Sequence, residues 1–359
     1  MKQDDPFIES FSLLGSFLQQ FPDHTRNDSP ALEILNREFY QSFSEIIKRE
    51  PSLNPWFTPK WINASISGIA RMLEAPILKL WLTSYSDIPV EPGQKLTIGL
   101  VLAGNIPMVG FHDILCVLSA GHRVLAKTSS KDMRLIHGLS KILSHIDPDL
   151  GSRIRLTDEK LVGMDAIIAT GSNNSARYFE YYFSKYPHII RKNRNGVAVL
   201  TGNESQQELQ GLGEDIFTYF GMGCRNVCKL YVPEDYDLKI LLNVLDGFSE
   251  LTQHNKYANN VDYHRSLYLM NQLEFLDNHI TLLKEDKAIA SPAGVVFYER
   301  YTEMRDVQKL LTEHEEEIQC TVSIHPDIEN RVKPGRTQEP MPWDYADGVD
   351  TINFLTQLI

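Results

Sequence analysis

The sequence of 359 residues contains few cysteines and no segment typical of secretion. Its four cysteines, at positions 116, 224, 228 and 320, are too few and too scattered for a disulfide framework. The first residues, MKQDDPFIES, lack the apolar core of a signal peptide. We therefore expect a cytoplasmic protein whose cysteines carry thiols.

Positive charge and long apolar runs are also scarce. The chain has 35 lysine and arginine residues against 47 aspartate and glutamate residues, for a formal net charge of -12. This excess of negative charge argues against a nucleic-acid backbone as the main partner. The longest apolar stretch, residues 96–109, is interrupted by Gly99, Gly104 and Pro107 and is too short to span a bilayer. We expect neither nucleic-acid binding nor membrane insertion.

Residues 1–94 have the periodicity of amphipathic helices. Apolar side chains recur at helical spacing over residues 7–21, 32–47 and 61–81. We expect a helical N-terminal segment that packs on a larger core.

Strands and helices alternate from Lys95 onward. Apolar strands are predicted for KLTIGLVLAG, HRVLAK, MDAIIATG and GVAVLTG, the last at residues 196–202. Such alternation is typical of a parallel sheet with helices on both faces. We expect an α/β fold with a Rossmann-type nucleotide-binding domain at residues 95–202, a second α/β domain at residues 203–325, and a C-terminal tail at residues 326–359 that returns to the core or to an oligomer interface.

The stretch FGMGCRNVCKLYV contains two cysteines four residues apart. On one helix, Cys224 and Cys228 would share a face and could bind a metal or form a strained disulfide, but two further ligands at suitable spacing are missing. Cys228 and Cys116 fit buried apolar positions. Cys224 follows a Gly-Met-Gly turn and precedes Arg225 and Asn226, a setting that favours a nucleophilic thiolate. We expect no metal site.

Three loops at predicted strand ends carry polar side chains. Asn105, between a strand and Pro107, is either a helix N-cap or an amide donor of an oxyanion hole. AKTSSK, residues 126–131, and ATGSNNSAR, residues 169–177, offer hydroxyls, lysines and small residues that suit a phosphate or a ribose. Neither loop contains a Gly-x-Gly-x-x-Gly or P-loop signature, and each is also compatible with a solvated turn.

The order of these features resembles the aldehyde dehydrogenase superfamily. Its pattern is an asparagine just before a proline, then Lys-Pro-Ser-Glu, Thr-Gly-Ser, Glu-Leu-Gly-Gly and Gly-Gln-x-Cys. The chain is most similar to the acyl-CoA reductase (LuxC) branch, through HNKYANN and the ending GRTQEPMPWDYADGVDTINFL. The resemblance covers about residue 95 to the end and implies an aldehyde-dehydrogenase-like fold.

The resemblance also implies roles for individual residues. Cys224, in the second α/β domain, corresponds to the nucleophile, and Asn105 corresponds to the oxyanion donor. Glu317, in HEEEIQC, corresponds to the glutamate that holds the nicotinamide ribose, although the expected Phe-Gly-Pro is absent. The other implied cofactor-binding residues are Lys127, Ser129, Ser130, Thr170, Gly171 and Ser172.

Two departures from the family pattern determine the expected activity. Val199 or Leu200, in VAVLTG, corresponds to the general-base glutamate of hydrolytic aldehyde dehydrogenases. Without a base to activate water, an acyl-enzyme would exchange with a thiol such as coenzyme A instead of hydrolysing. Ser130 and Lys131 replace an acidic residue that would repel a 2′-phosphate, which favours NADPH.

The resemblance therefore implies an NADPH-dependent reductase that converts a long-chain fatty acyl-CoA or another acyl thioester to a fatty aldehyde. The acyl donor is either acyl-CoA itself or an acyl-transferring partner protein. The helix predicted over RYFEYYFSKY corresponds to a dimer contact and implies a homo-oligomer. Two alternatives stay open: an NAD(P)-dependent aldehyde dehydrogenase that oxidises aldehyde to acid, and a non-catalytic scaffold or thiol sensor.

Overall fold

The structure is a computed structural model that describes residues 5–22, 24–85 and 95–358. These residues divide into two units. The first unit comprises the chain up to Lys192 together with Pro340–Ile359, and the second unit is Asn193–Glu339. The chain therefore passes from one unit to the other twice, and the first unit is assembled from both ends of the sequence.

The N-terminal part of the first unit is helical, as the periodicity predicts. Its helices are α1 (Pro6–Leu18), α2 (Glu33–Leu35), α3 (Gln41–Leu53), α4 (Pro59–Met72) and α5 (Ala75–Thr83), with a π-helical turn at Asn36–Tyr40. The helix predicted over residues 61–81 is divided into α4 and α5. Pro76 lies in the first turn of α5, and its ring would clash with the carbonyl of Met72 in a continuous helix.

The first unit also holds a five-stranded parallel sheet in the order β3-β2-β1-β4-β5. Its strands are β1 (Thr97–Val101), β2 (Arg123–Lys127), β3 (Ile154–Thr157), β4 (Ala166–Thr170) and β5 (His188–Arg191). The strand order reverses between β1 and β4. Ligands of open α/β sheets bind at such a switch point, outside the carboxyl ends of the strands.

Helices connect these strands and join the N-terminal helices in one hydrophobic core. The connecting helices are α6 (Phe111–Ser119), α7 (Met133–Ile146), α8 (Pro148–Ser152) and α9 (Asn173–Phe183). Phe11 of α1, Trp81 of α5, Leu100 of β1 and Leu139 of α7 belong to the same buried cluster. In the described ranges, no helix is both long enough and apolar enough to cross a membrane.

The second unit contains a six-stranded sheet in the order β11-β6-β7-β10-β9-β8. Its strands are β6 (Asn195–Val199), β7 (Val227–Pro233), β8 (Leu276–Asp277), β9 (Leu282–Glu285), β10 (Val295–Tyr301) and β11 (Ile318–Ser323). All its pairings are parallel except that between β8 and β9. The helices of this unit are α10 (Gln206–Phe217), α11 (Leu238–Leu245), α12 (Asn255–Met270) and α13 (Met304–Glu313).

The domain boundaries differ from the predicted ones. GVAVLTG, expected in the nucleotide-binding domain, forms β6, which pairs with β11 and β7 of the second sheet. Its apolar pattern identifies a buried strand but carries no information about the neighbouring strands. The predicted tail, residues 326–359, also divides: its part up to Glu339 belongs to the second unit, while the part from Pro340, with α14 (Thr351–Thr356), belongs to the first.

Candidate functional site

The carboxyl edge of the first sheet carries most of the residues expected to bind a cofactor. Lys127, half-buried, is the last residue of β2 and is level with Val101 at the end of β1. Val101 is also level with Ala169 of β4, so Thr170 extends one residue further. In the sheet, β1 lies between β2 and β4, and neighbouring strands are about 4.8 Å apart. Lys127 and Thr170 therefore lie on either side of the end of β1.

The loop from β4 to α9 presents a helix N-terminus at this edge. Ser172 is the N-cap of α9, and its Oγ accepts a hydrogen bond of 3.2 Å from the N–H of Ser175. Gly171 precedes it and donates its N–H to the carbonyl of Arg191 on β5. The amides and the dipole of a helix N-terminus favour an anion, so the position of this loop suits a phosphate.

The loops that follow β1 and β2 touch one another. A Cβ atom added to Gly104 would lie 2.2 Å from the Oγ of Ser129, so a larger residue at position 104 would displace that side chain. Ser130 and Lys131 are exposed next to it. Residues 127–131 contain two lysines, a threonine and two serines but no carboxylate. This composition suits a phosphorylated ribose.

Asn105 is exposed in the loop between β1 and α6 and is not a helix N-cap. The helix that follows, α6, begins only at Phe111, after the N-cap Gly110. Met108 has a φ of 55°, in the left-handed region, and this conformation interrupts any earlier helical turn. The N-cap interpretation of Asn105 is therefore wrong, and the oxyanion-donor interpretation stays a prediction.

Asp132 holds the loop that contains Asn105. Its Oδ2 accepts a hydrogen bond of 2.8 Å from the N–H of Met108, the residue with left-handed backbone. The side chain is almost completely buried, and burial raises the pKa of this carboxyl well above its usual range. Asp132 therefore stabilises a strained loop conformation from the start of α7.

The structure changes which strand of this chain should be compared with the strand that carries the general base in the superfamily. In the first sheet, the strand that follows the Thr-Gly-Ser helix is β5, whereas Val199 is buried in β6 of the second sheet. By chain order, β5 and not β6 is therefore the strand to compare with Glu-Leu-Gly-Gly of the family pattern. Residues 188–194, which span β5 and its carboxyl end, contain no carboxylate. Neither β5 and its carboxyl end nor Val199 and Leu200 offer a carboxylate, and the missing base stays a prediction.

Arg191, at the end of β5, is in a buried ion pair. Its Nη1 lies 2.7 and 2.8 Å from the two carboxylate oxygens of Asp113 on α6, and its Nη2 donates to Thr351 Oγ1 on α14 at 3.0 Å. A guanidinium stays protonated in proteins and cannot remove a proton from water. Arg191 therefore joins three elements of the first unit and offers no substitute for the base.

Cys224 lies in the turn that leads into β7, and its side chain is exposed. The four cysteines all fall in the described ranges and form no disulfide with one another, and the other three are buried. Cys228 is inside β7, where its thiol donates to the carbonyl of Ile289 at 3.1 Å. The two cysteines therefore lie in a turn and a strand instead of sharing one face of a helix.

The backbone of this turn packs closely on the strand β6. The N–H of Gly196 donates to the carbonyl of Asn226 at 2.9 Å, and a Cβ at position 196 would lie 2.7 Å from the carbonyl oxygen of Arg225. The Asn226 side chain closes the turn from inside, because its Oδ1 accepts the N–H of Gly223 at 2.7 Å. Glycine at position 196 is thus required for this approach.

A strained segment precedes the turn. Tyr219 and Phe220 have φ values of 54° and 59°, which only a few non-glycine residues adopt. The ring of Phe220 lies 4.3 Å from the ring of His254 and 5.7 Å from that of Tyr257. His254 begins the HNKYANN segment and caps α12 through its Nδ1, which accepts the N–H of Tyr257. His254 therefore caps α12 and packs against Phe220, just before the cysteine turn.

Glu317 lies at the same edge of the second sheet as Cys224. It precedes β11, its carbonyl accepts the N–H of Asn195 at the start of β6, and its exposed Oε1 is 2.9 Å from His314 Nδ1. Since β6 separates β11 from β7, Glu317 and the cysteine turn are about 10 Å apart, or two strand spacings. The first unit therefore contains Asn105 and most of the predicted cofactor-binding residues, and the second unit contains Cys224 and Glu317.

Sequence reasoning missed the buried residues that hold the cysteine turn. Asp215 lies on α10 between the buried residues Leu212 and Ile216, and it binds Gly335 and Thr337. An aspartate on the apolar face of an amphipathic helix is a usable sequence signal, because a buried carboxyl needs hydrogen-bond donors. The identity of those donors, more than a hundred residues away, has no such signal.

Comparison with known proteins places this geometry in a known fold. No family model matches the chain. A long-chain acyl-protein thioester reductase from Vibrio harveyi is 21% identical over 258 residues, which cover 63% of this chain and 53% of that protein. The chain thus spans about half the length of this curated relative.

Solved structures of aldehyde dehydrogenases match most of the chain. An indole-3-acetaldehyde dehydrogenase in complex with NAD⁺ superposes with a TM-score of 0.63 at 11% identity, covering 91% of this chain and 73% of that one. A Mycobacterium tuberculosis aldehyde dehydrogenase complexed with NAD⁺ gives a TM-score of 0.61 at 11% identity, covering 90% and 74%. These matches confirm the aldehyde-dehydrogenase-like fold. Together with the thioester reductase, they support the predicted resemblance to the acyl-CoA reductase (LuxC) branch of the superfamily.

Proposed function

We propose that this protein reduces a long-chain fatty acyl thioester to a fatty aldehyde, with Cys224 as the nucleophile and NADPH as the reductant. The observation that carries the proposal is the exposed Cys224 thiol on a rigid turn, in a chain that lacks a carboxylate at the end of β5. An acyl group on this cysteine would lack the carboxylate that activates water at that position in hydrolytic aldehyde dehydrogenases. Such an acyl-enzyme would persist long enough to be reduced.

The chemistry at Cys224 follows from its exposure. The thiolate attacks the thioester carbonyl carbon, and the Asn105 amide and the Cys224 N–H stabilise the oxyanion. The coenzyme A thiolate leaves, and a new thioester to Cys224 remains. After reduction, cleavage of the carbon–sulfur bond releases the aldehyde and returns the Cys224 thiolate. The role of Asn105 rests on the family resemblance and on its exposed position after β1.

The carboxyl edge of the first sheet fits a nicotinamide dinucleotide. NADPH, when bound, supplies the hydride that an acyl group needs to become an aldehyde. Lys127, Ser129 and Thr170 would hold its phosphates and ribose, together with the α9 N-terminus at Gly171 and Ser172, and Glu317 would hold the nicotinamide ribose. The 2′-phosphate would be accommodated by Ser130 and Lys131, next to which no carboxylate occurs in residues 127–131.

The acyl donor in this proposal is a fatty acyl-CoA or an acyl group carried by a partner protein. The name of the Vibrio harveyi relative, an acyl-protein thioester reductase, supports the second donor. Three buried cysteines and one exposed cysteine without disulfides suit a reducing cytoplasm.

The first experiment mixes the protein with a long-chain acyl-CoA and NADPH, follows the reduced-nicotinamide absorbance, and identifies the product by mass spectrometry. We expect NADPH consumption and a fatty aldehyde. Cys224→Ala should abolish both, whereas Cys228→Ala, which changes a buried thiol of the same segment, is the matched control. Full activity of Cys224→Ala would refute the proposal.

Two other outcomes of this experiment would support the alternatives. Free acid formed from an aldehyde with NADP⁺ would indicate an aldehyde dehydrogenase with a base from elsewhere in the chain. An absence of both turnover and acylation at Cys224, even with an acylated carrier protein as donor, would favour a scaffold or thiol sensor.

We also propose a homo-oligomer that uses α9. Tyr178, Tyr181 and Tyr182 expose 66, 79 and 63% of their surfaces on this helix. Tyrosines are enriched at protein interfaces, and exposed tyrosines clustered on one helix are unusual on a monomer. Light scattering should show that Tyr182→Asp lowers the molar mass, whereas Tyr263→Asp, an exposed tyrosine of the second unit, should not. An unchanged mass for Tyr182→Asp would exclude α9.

A further inference from the structure

Asp215 is an acidic side chain with only 1% of its surface exposed. Its Oδ2 accepts the N–H of Gly335 at 2.7 Å. Its Oδ1 accepts the N–H of Thr337 at 2.9 Å and the Thr337 hydroxyl at 2.8 Å. Three donors on one carboxylate fix residues 335–337 against α10, more than a hundred positions away in the sequence.

Residues 335–337 also bind the turn that contains Cys224. The carbonyl of Thr337 accepts the Nε of Arg225 at 2.6 Å. The next residue, Asn226, donates its Nδ2 to the main-chain carbonyl of Asp215 at 3.0 Å. Hydrogen bonds thus connect Asp215, Thr337, Arg225 and Asn226 in a closed circuit, which we call the Asp215 ring. Arg225 directly follows Cys224, so the ring determines where the cysteine turn lies on α10.

We infer that Asp215 is a positioning residue for Cys224 that acts through Thr337 and Arg225. This inference deepens the proposed function, because it rests on the role of Cys224 as the nucleophile. Asp215 orders the segment that fixes Arg225, the residue after the thiol. The fixed turn keeps Cys224 in one orientation, as a preorganised nucleophile requires.

The ring depends on the charge of Asp215. Burial raises the pKa of this carboxyl to about 6, although the N–H groups of Thr337 and Gly335 oppose the increase. The ionised carboxylate accepts all three donors, whereas a protonated carboxyl presents a hydrogen that competes with one of them. The titratable groups on α10 and on the segments packed against it are Glu208, Glu214, Tyr219, Cys224, Arg225, Cys228, Lys229, Tyr231, Lys239, Asp246, Glu250, Lys333, Arg336 and Glu339.

Alkylation of Cys224 tests the inference without any assumption about the substrate. Iodoacetamide labelling of the full-length protein, quantified by mass spectrometry of the Cys224 peptide, gives a rate at each pH. We compare the wild type with Asp215→Asn, and use Glu214→Gln, an exposed carboxylate one residue earlier, as the matched control. The ratio of wild-type to variant rates removes the titration of the thiol itself.

For Asp215→Asn, we expect this ratio to change about fivefold between about pH 5 and pH 7.5, the effect of one lost hydrogen bond. For Glu214→Gln it should stay constant. A constant ratio for Asp215→Asn in a protein with wild-type circular dichroism would overturn the inference. If Asp215→Asn fails to fold, Arg225→Met replaces it, because this substitution removes the hydrogen bond from Arg225 to Thr337. The ratio of the wild-type alkylation rate to the Arg225→Met rate should change over the same pH range.

Single-turnover acylation with acyl-CoA keeps the two proposals separable. If Cys224 is acylated, Asp215→Asn should lower the acylation rate above pH 7 with little change in the apparent affinity for acyl-CoA. If the wild type is never acylated but the alkylation ratio still changes with pH, the proposed function fails while the positioning role of Asp215 stands.

Discussion

The two units differ in how they build their functional edge. In the first unit, Lys127 and Thr170 end their strands, and Asp132, at the start of α7, holds the loop between β1 and α6 through the N–H of Met108. In the second unit, Cys224 precedes its strand, and the turn is fixed by Asp215 and Thr337, which are 122 residues apart. The cofactor-edge residues are thus placed by the ends of their strands, whereas Cys224 is placed by contacts between more distant segments.

Long-range contacts also occur in the first unit, where the Ser65 hydroxyl donates to the carbonyl of Pro107 in the loop after β1. Other long-range contacts stabilise the framework of this unit. The pair of Arg191 and Asp113 joins β5 to α6, and Tyr345 of the C-terminal segment binds Trp81 and Tyr85 near α5. The predictions that follow test this division between framework and functional edge.

The largest effect is expected from Asp113→Ala in the first unit. Arg191 would stay buried without a counter-ion, which should lower the free energy of unfolding by about 3–5 kcal/mol in urea denaturation. Glu180→Ala, which removes an exposed partner of Lys192, is the control and should cost less than about 1 kcal/mol. Equal losses for the two variants would show that the buried pair is not part of the framework.

The pH dependence of stability should identify Asp215 in the second unit. Its pKa is raised from 3.8 to about 6, so the folded protein binds this proton more tightly than the unfolded chain does. The free energy of unfolding should therefore fall, relative to Asp215→Asn, as pH rises from about 4 to 6, by at most about 3 kcal/mol. Parallel pH profiles for the two proteins would contradict the raised pKa.

Trp81→Phe should have a smaller effect on the first unit. It removes the hydrogen bond of 2.8 Å from Trp81 Nε1 to the Tyr345 hydroxyl and leaves a small cavity, at a cost of about 2 kcal/mol. Trp343→Phe alters a residue that is 39% exposed and should cost under about 0.5 kcal/mol. If Trp81→Phe leaves the urea midpoint unchanged, the C-terminal segment does not stabilise the framework.

The smallest effect is expected from a substitution of Lys131, which we propose to lie beside the cofactor at the carboxyl edge of the first sheet. Lys131→Glu places a negative charge beside the proposed 2′-phosphate and should raise the KM for NADPH about tenfold, with little change in the KM for NADH. Lys141→Glu, on the exposed face of α7, is the charge-matched control. Steady-state kinetics with both cofactors would decide, and an equal change for both would place the 2′-phosphate elsewhere.

The difference between the two edges explains how much the sequence alone could predict. The strand before Asn105 and the strands that end at Lys127 and Thr170 were predictable because each is an apolar run followed by polar or glycine residues. Two further strands, β3 and β5, escaped because they have four residues each and include an arginine or a histidine. The general base was therefore compared with the wrong strand, although the corrected strand leads to the same conclusion.

The turn of Cys224 was predictable as a loop from its glycines, but its supports were not. Asp215 stands out only as a polar residue on an apolar helix face, and nothing in its neighbourhood indicates Thr337. The partners of β6 were equally hidden, since a strand buried on both faces shows the same pattern in either sheet. Local patterns predict elements and their ends, whereas pairing between distant segments requires the folded chain.

The two crossings of the chain have a consequence for synthesis. The second unit is continuous in sequence, so all of it has been made before residue 340 is added. The first unit is completed only by residues beyond 340, because Thr351, which bonds Arg191, is 160 positions further along the chain. On a ribosome, the second unit is therefore complete before the first, and a buried arginine lacks one of its partners until α14 emerges.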